Sequence, residues 1–162
     1  MGRLAFVFSG QGSQYTGMGK SLCEASPAAA AVFSMADSLR PGTSEQCFAA
    51  GKEELSQTVN TQPCVFVVDL AAAAALKEGG VSPDYLAGFS LGEVPALAFG
   101  GYLSYEDAFS YVCRRGEAMD VCAGESKGAM LAIMGLEAAA VEELCRVVGD
   151  AWPVNYNCPG QI

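Results

Sequence analysis

Apolar and polar positions divide the chain into short alternating segments. Leu4 to Phe8 is an unbroken apolar run, LAFVF, followed by glycines at positions 10, 12, 17 and 19. A run this short, without polar alternation, predicts a strand buried on both faces, as at the centre of a parallel sheet. Ser26 before Pro27 reads as an N-cap with proline at the first helical position, opening a helix to about Leu39 that Arg40-Pro41-Gly42 ends. Glu53 to Thr58 offers a short helical turn. Asn60-Thr61-Gln62-Pro63 starts a second helix, which runs to about Glu78, carries the small run Ala71 to Ala75 and stops at Gly79-Gly80.

Pro83 to Gly88 is a short strand candidate, and helical residues follow from Gly92 to Phe99. Ser104, with Asp107 three positions on, resembles a capping box and opens a long helix to about Cys122. Gly124 to Gly128 reads as a linker. Beyond it the pattern predicts strand (Ala129 to Met134), helix (Glu137 to Val148) and strand (Val154 to Asn157). Alternating strands and helices argue for an α/β fold with a parallel sheet. The expected division is a large α/β unit over 1–126 and a smaller β-α-β unit over 127–162.

Composition narrows the function. Of 162 residues, 51% are hydrophobic and 17% charged, enough apolar material for a packed core. The formal net charge is -9, which disfavours a nucleic-acid partner. The seven cysteines form no CxxC pair and the chain has no histidine, so reduced thiols of a cytoplasmic protein are expected, with no metal site. The apolar stretch from Cys64 to Leu76 is interrupted by Asp69 and suits a buried helix better than a membrane span.

Three features carry chemistry. Gly88-Phe89-Ser90-Leu91-Gly92 is a GxSxG between a strand and a helix. That shape holds a serine hydroxyl out on a sharp turn, makes Ser90 a candidate nucleophile and the Leu91 N–H a natural oxyanion donor. Against it stands an ordinary serine in a glycine turn. Gly10-Gln11-Gly12-Ser13-Gln14 follows the first strand. It misses a dinucleotide fingerprint at Tyr15 and a P-loop at Gln14, and so reads as a ligand-facing loop whose Gln11 N–H could be a second oxyanion donor. Arg115 shares a helical face with Ala108, Tyr111, Val112 and Met119, whereas Arg114 falls on the polar face. An inward guanidinium needs a partner, either a structural carboxylate or the carboxylate of a substrate. No histidine is present to activate Ser90; Glu93, Lys20 and Lys127 are the nearest candidate bases.

Collinear motifs resemble the malonyl-CoA:acyl carrier protein transacylase family of fatty acid synthesis, and cover its N-terminal part. They are FVFSGQGSQYTGMG, NTQP at 60–63, GFSLGE at 88–93, RGEAM at 115–119, and GAMLAIMGL with NYNCPGQI. The resemblance implies an incomplete acyltransferase or hydrolase-like core with the start of a ferredoxin-like subdomain. It implies Ser90 as the acylated nucleophile, Gln11 and Leu91 as oxyanion donors, Arg115 on the malonyl carboxylate and Gln62 lining the pocket. Malonyl would pass from coenzyme A to Ser90 and then to the phosphopantetheine thiol of acyl carrier protein, with no metal or redox cofactor and no membrane. Two departures stand out: Phe89 replaces the family's histidine before the serine, and the family's catalytic histidine lies beyond the point matching Ile162. The chain alone is therefore expected to be inactive. The alternatives are a serine hydrolase or thioesterase, a non-catalytic or split acyltransferase half, and an acyltransferase domain of a polyketide synthase.

Overall fold

The computed structural model describes residues 2–125 and 128–162, which form two compact units divided after Glu125. In the first unit, strands β1 (Ala5–Phe8) and β2 (Tyr85–Gly88) pair in parallel, with Ala5 opposite Tyr85 and Phe8 opposite Gly88. Between them run α1 (Lys20–Ala25), α2 (Pro27–Leu39), α3 (Thr43–Ala49), α4 (Lys52–Leu55) and α5 (Thr58–Glu78). After β2 come α6 (Glu93–Phe99) and α7 (Tyr105–Glu125). A parallel pair needs a long crossover. The whole α1–α5 stretch supplies it here.

Helix α5 is the axis of this unit, packing against α1, α2, α3, α4, α6 and α7. Its length and composition would suffice to cross a bilayer. In this fold it is a core helix instead, with Cys64, Phe66, Val67, Leu70 and Ala71 fully buried. The alanine run allows the close approach that its neighbours need, and Phe66 meets Phe109 of α7 with ring centroids 5.8 Å apart. Ser26 caps α2 by accepting from the Ala29 N–H (3.1 Å), and its own hydroxyl donates to Glu78 at the far end of α5 (2.5 Å).

Several expectations need correction. The β1 run is not covered on both faces: Phe6 and Phe8 pack on Ala73, Ala96 and Phe99, but Val7 points the other way and is 77% exposed. The two helices α1 and α3 fall in stretches to which the pattern assigns no element. Each is entered through a glycine at positive φ, Gly19 at 78° and Gly42 at 85°, so Gly42, which reads as a breaker, also launches the next helix. Helix α5 begins at Thr58 rather than at Asn60, which leaves Pro63 inside it. Helix α7 continues to Glu125, so Gly124 is helical rather than part of a linker. Ser126 and Lys127 lie outside the described residues.

The second unit keeps its helix, α8 (Ala138–Val148), but neither strand expected at 129–134 or 154–157 forms. A strand is defined by its neighbour's hydrogen bonds. Here residues 133–135 make only a short antiparallel contact with 160–162, through Ile133 N–H to Ile162 O (2.7 Å) and Gly135 N–H to Gly160 O (2.7 Å). Met130, Leu131, Trp152 and Val154 stay exposed, and among the described residues of this unit Val141 alone is buried.

The core assignment predicts that Phe66→Ala destabilises the first unit by about 3–5 kcal/mol, the range for emptying a buried aromatic site. Ser26→Ala should cost about 0.5–2 kcal/mol as a lost cap. Urea unfolding followed by far-ultraviolet circular dichroism would measure both.

Candidate active site

The turn after β2 owes its shape to glycines at two close main-chain approaches. A Cβ on Gly88 would fall 2.2 Å from the main chain of Gly92, and one on Gly92 would fall 2.2 Å from the Phe8 carbonyl oxygen. Any larger residue at either position collides with backbone. With that space closed, the chain passes from β2 through Phe89 into a 3-10 turn, Ser90–Gly92, and straight into α6. Ser90 takes φ of 52°, the one non-glycine residue with positive φ among the described residues. Such strain clusters at functional sites, where the surrounding packing over-determines the backbone. The Ser90 side chain is exposed while Leu91 beneath it is buried.

Arg115 reaches this turn from α7. Its Nη2 donates to Ser90 Oγ at 3.1 Å and its Nη1 to Gln62 Oε1 at 2.7 Å. Gln62 is fully buried on α5, and its Nε2 points to Met119 Sδ at 3.0 Å. Gly116 explains how α7 comes near enough: a Cβ there would sit 3.3 Å from the Thr58 carbonyl oxygen and 3.7 Å from Gln62 Cβ. The face analysis of α7 holds at Ala108 and Val112, which are buried with Phe109 and Gly116, but Tyr111 and Met119 are exposed. Arg115 thus lies at the edge of the buried stripe. Both of its hydrogen-bond partners are neutral oxygens, and no carboxylate pairs with it among the described residues.

The glycine-rich loop lies against the same turn. A Cβ on Gly10 would meet the Phe89 ring and carbonyl oxygen, each at 2.9 Å. Phe89 donates its N–H to the Phe8 carbonyl (3.2 Å), and its ring is half exposed. The Gln11 side chain donates to Thr58 Oγ1 at 3.2 Å, one helical turn before Gln62 on α5. Ser90, Leu91, Gln62 and Arg115 are therefore joined by direct contacts. Gln11 is tied to the same end of α5.

The candidate bases are not brought to Ser90. Glu93 and Lys20 are exposed and make no hydrogen bond to it, and Lys127 lies outside the described residues. Two surface clefts lie elsewhere, one lined by Arg40, Glu45, Gln46 and Glu54, the other by Ala28, Val32, Met35 and Ala74.

Sequence reasoning passed over two residues beside the loop. Ser9 follows β1 and donates its hydroxyl to Asp69 Oδ1 at 2.9 Å. Burial pushes the Asp69 carboxyl up to about 6, against the opposing hydrogen bonds from Ser9. Its other oxygen, Oδ2, is buried without a hydrogen-bond partner among the described residues. The available signal was that Asp69 is the single charge in an otherwise apolar helical run.

The sequence profile of the acyl transferase domain family matches residues 5–162. The malonyl CoA-acyl carrier protein transacylase of Bacillus subtilis (strain 168) is 42% identical over 167 residues, spanning 100% of this chain and 53% of that protein. The crystal structure of MCAT from Streptococcus pneumoniae superposes with a TM-score of 0.90 at 35% identity, over 98% of this chain and 53% of that one. A type II polyketide acyl-carrier protein complex with its malonyl-transacylase matches with a TM-score of 0.87 at 30% identity, over 99% of this chain and 53% of the matched chain. The chain spans about half the length of these relatives.

The strained turn generates a test independent of chemistry. Replacing Ser90 by glycine removes a left-handed conformation worth roughly 1–2 kcal/mol, offset by the greater unfolded-state freedom of glycine. Ser90→Gly should therefore be as stable as the parent or up to about 1 kcal/mol more stable, while Ser90→Ala gains nothing. Gly92→Ala should destabilise by more than about 3 kcal/mol, because backbone must move. Thermal melts of the three variants decide it.

Proposed function

The chain belongs to the acyl transferase domain family, and we propose that it carries the nucleophile and the acid-recognition half of a malonyl transferase. The observation behind this reading is Arg115, held between buried Gln62 and exposed Ser90 with no acid partner among the described residues. A guanidinium in that position has one charge to spend and a planar fork that suits a carboxylate. A malonyl group has a free carboxylate two bonds from its thioester carbonyl. One guanidinium can therefore hold the acid while the carbonyl lies over Ser90.

In the proposed reaction Ser90 Oγ attacks the thioester carbonyl of malonyl-CoA. The Leu91 and Gln11 N–H groups hold the oxyanion, and the C–S bond breaks to release the coenzyme A thiol. The phosphopantetheine thiol of an acyl carrier protein then attacks the acyl-serine and restores the Ser90 hydroxyl. The relatives' names supply the donor and acceptor classes. Arg115 also lies 3.1 Å from Ser90 Oγ, so it stabilises negative charge developing there. It cannot accept a proton. The base is proposed to come from residues outside this sequence, and the 162-residue chain alone is proposed to be inactive. A cytoplasmic location fits this substrate set.

The reading is tested on a protein in which this chain is continued to the length of its relatives. A malonyl thioester should leave a malonyl group on Ser90, identified by mass spectrometry of the quenched digest. No label there supports a non-catalytic half, and turnover to water rather than to the carrier thiol supports a hydrolase. Arg115→Ala should reduce use of malonyl donors relative to acetyl donors by about 10- to 100-fold, since hydrogen bonds to a charged group contribute about 1.5–3 kcal/mol. An equal loss for both donors removes the carboxylate assignment. Arg115→Lys should fall between, keeping the charge but not the fork.

A further inference from the structure

Behind the Gly10–Gln11–Gly12 loop lies a line of polar contacts that the transfer chemistry does not use. Asp69 Oδ1 is 2.9 Å from Ser9 Oγ, Ser9 Oγ is 2.9 Å from Ser13 Oγ, and Ser13 Oγ is 2.9 Å from the Gly10 carbonyl oxygen. The line starts on the core helix α5 and ends on the main chain of the loop. Three hydrogen bonds need three protons, and the two serine hydroxyls supply two. If Asp69 is ionised, Ser9 donates to it and Ser13 must choose between Ser9 and Gly10. If Asp69 carries a proton on Oδ1, that proton goes to Ser9, the Ser9 proton to Ser13 and the Ser13 proton to Gly10, and all three bonds form at once.

We propose that Asp69 is a positioning residue for the Gly10–Gln11–Gly12 loop, acting through the Ser9 and Ser13 hydroxyls, and that its carboxyl proton completes the chain. Two further observations agree. Asp69 Oδ2 is buried with no hydrogen-bond partner among the described residues, an arrangement that penalises a carboxylate far more than a neutral acid. Burial places the carboxyl near 6, within reach of ordinary pH. Ser9 is the one group acting on it. The ionisable side chains on the elements packed against α5 include Glu24 on α1, Asp37 on α2, Cys47 on α3, Glu54 on α4, Glu93 on α6 and Arg115 on α7, and none of these makes a hydrogen bond to Asp69.

The loop has little slack. Gly10 already lies against Phe89, and the Ser9 carbonyl oxygen is 2.6 Å from where a Gly92 Cβ would stand. A change in the Ser13–Gly10 bond is therefore felt beside Ser90. The consequence for catalysis rests on the reading of Gln11 as an oxyanion donor; the proton count does not.

Nuclear magnetic resonance of the protein continued to the length of its relatives separates the two. The Asp69 carboxyl carbon should titrate with a midpoint near 6 instead of the usual value near 4, and the Gly10, Gln11 and Gly12 amides should shift with that same midpoint. Asp69→Asn, whose amide N–H can still donate to Ser9, should hold the loop amides at their low-pH positions up to pH 8. Ser9→Ala should leave Asp69 titrating but uncouple the loop. The acid's raised value also requires the folded chain to lose stability as pH rises from about 4 through about 6, a loss absent in Asp69→Asn. A midpoint near 4, or loop amides that ignore the Asp69 titration, overturns the proposal. Neither outcome touches the acylation of Ser90, which is measured separately.

Discussion

The structure depends on main chain lying where a side chain would otherwise be. Gly88 and Gly92 are packed so closely on each other and on the end of β1 that a single methyl at either would fall 2.2 Å from backbone atoms. This contact fastens the parallel strand pair at its carboxyl end and leaves the connection to α6 no room for a relaxed turn. Ser90 takes up the resulting strain at φ of 52°. The same contact brings the glycine-rich loop beside the serine, because that loop leaves β1 at the point where Gly92 presses on Phe8. One steric constraint therefore sets the strand register, the serine conformation and the neighbouring backbone donors.

Electrostatics then distinguishes this turn from an ordinary one. Two partly buried arginines in the first unit have neutral partners, and they differ in what surrounds them. Arg40 donates to Thr43, Gln46 and Asn60, all inside the fold, and so ties the end of α2 to α3 and α5. Arg115 donates to one buried amide and to one exposed hydroxyl on a strained turn. The first is a structural clamp that joins three helices at the rim of a surface cleft. The second faces outward, and on the proposed reading a ligand anion takes the partner's role there. By contrast, the exposed Arg146–Glu143 pair on α8 is screened by water, and its charges add little to the fold.

Much of this was legible in the residues, and the failures have physical causes. The glycines flanking Ser90, the cap at Ser26 and the inward side of α7 at Ala108 and Val112 follow from local chemistry that needs no distant partner. The bare second face of β1 and the unformed strands of the second unit do not, because a strand's existence depends on neighbours that lie elsewhere in sequence. Gly42 reads as a stop when it also starts a helix. The Ser9–Asp69 contact joins positions 60 residues apart, and a lone charge in an apolar run gives the acid's place but not its partner.

The site also divides two kinds of work that are often found together. The one side chain that reaches the Ser90 hydroxyl among the described residues is a donor, the Arg115 fork, which the buried Gln62 carbonyl oxygen holds from behind. Donors stabilise an anion and recognise an acid, but they cannot take the proton that an attacking hydroxyl must lose. On the proposed reading, the groups that stabilise charge are assembled at Ser90, and no base contacts its hydroxyl among the described residues. That agrees with a match to about half the length of each relative.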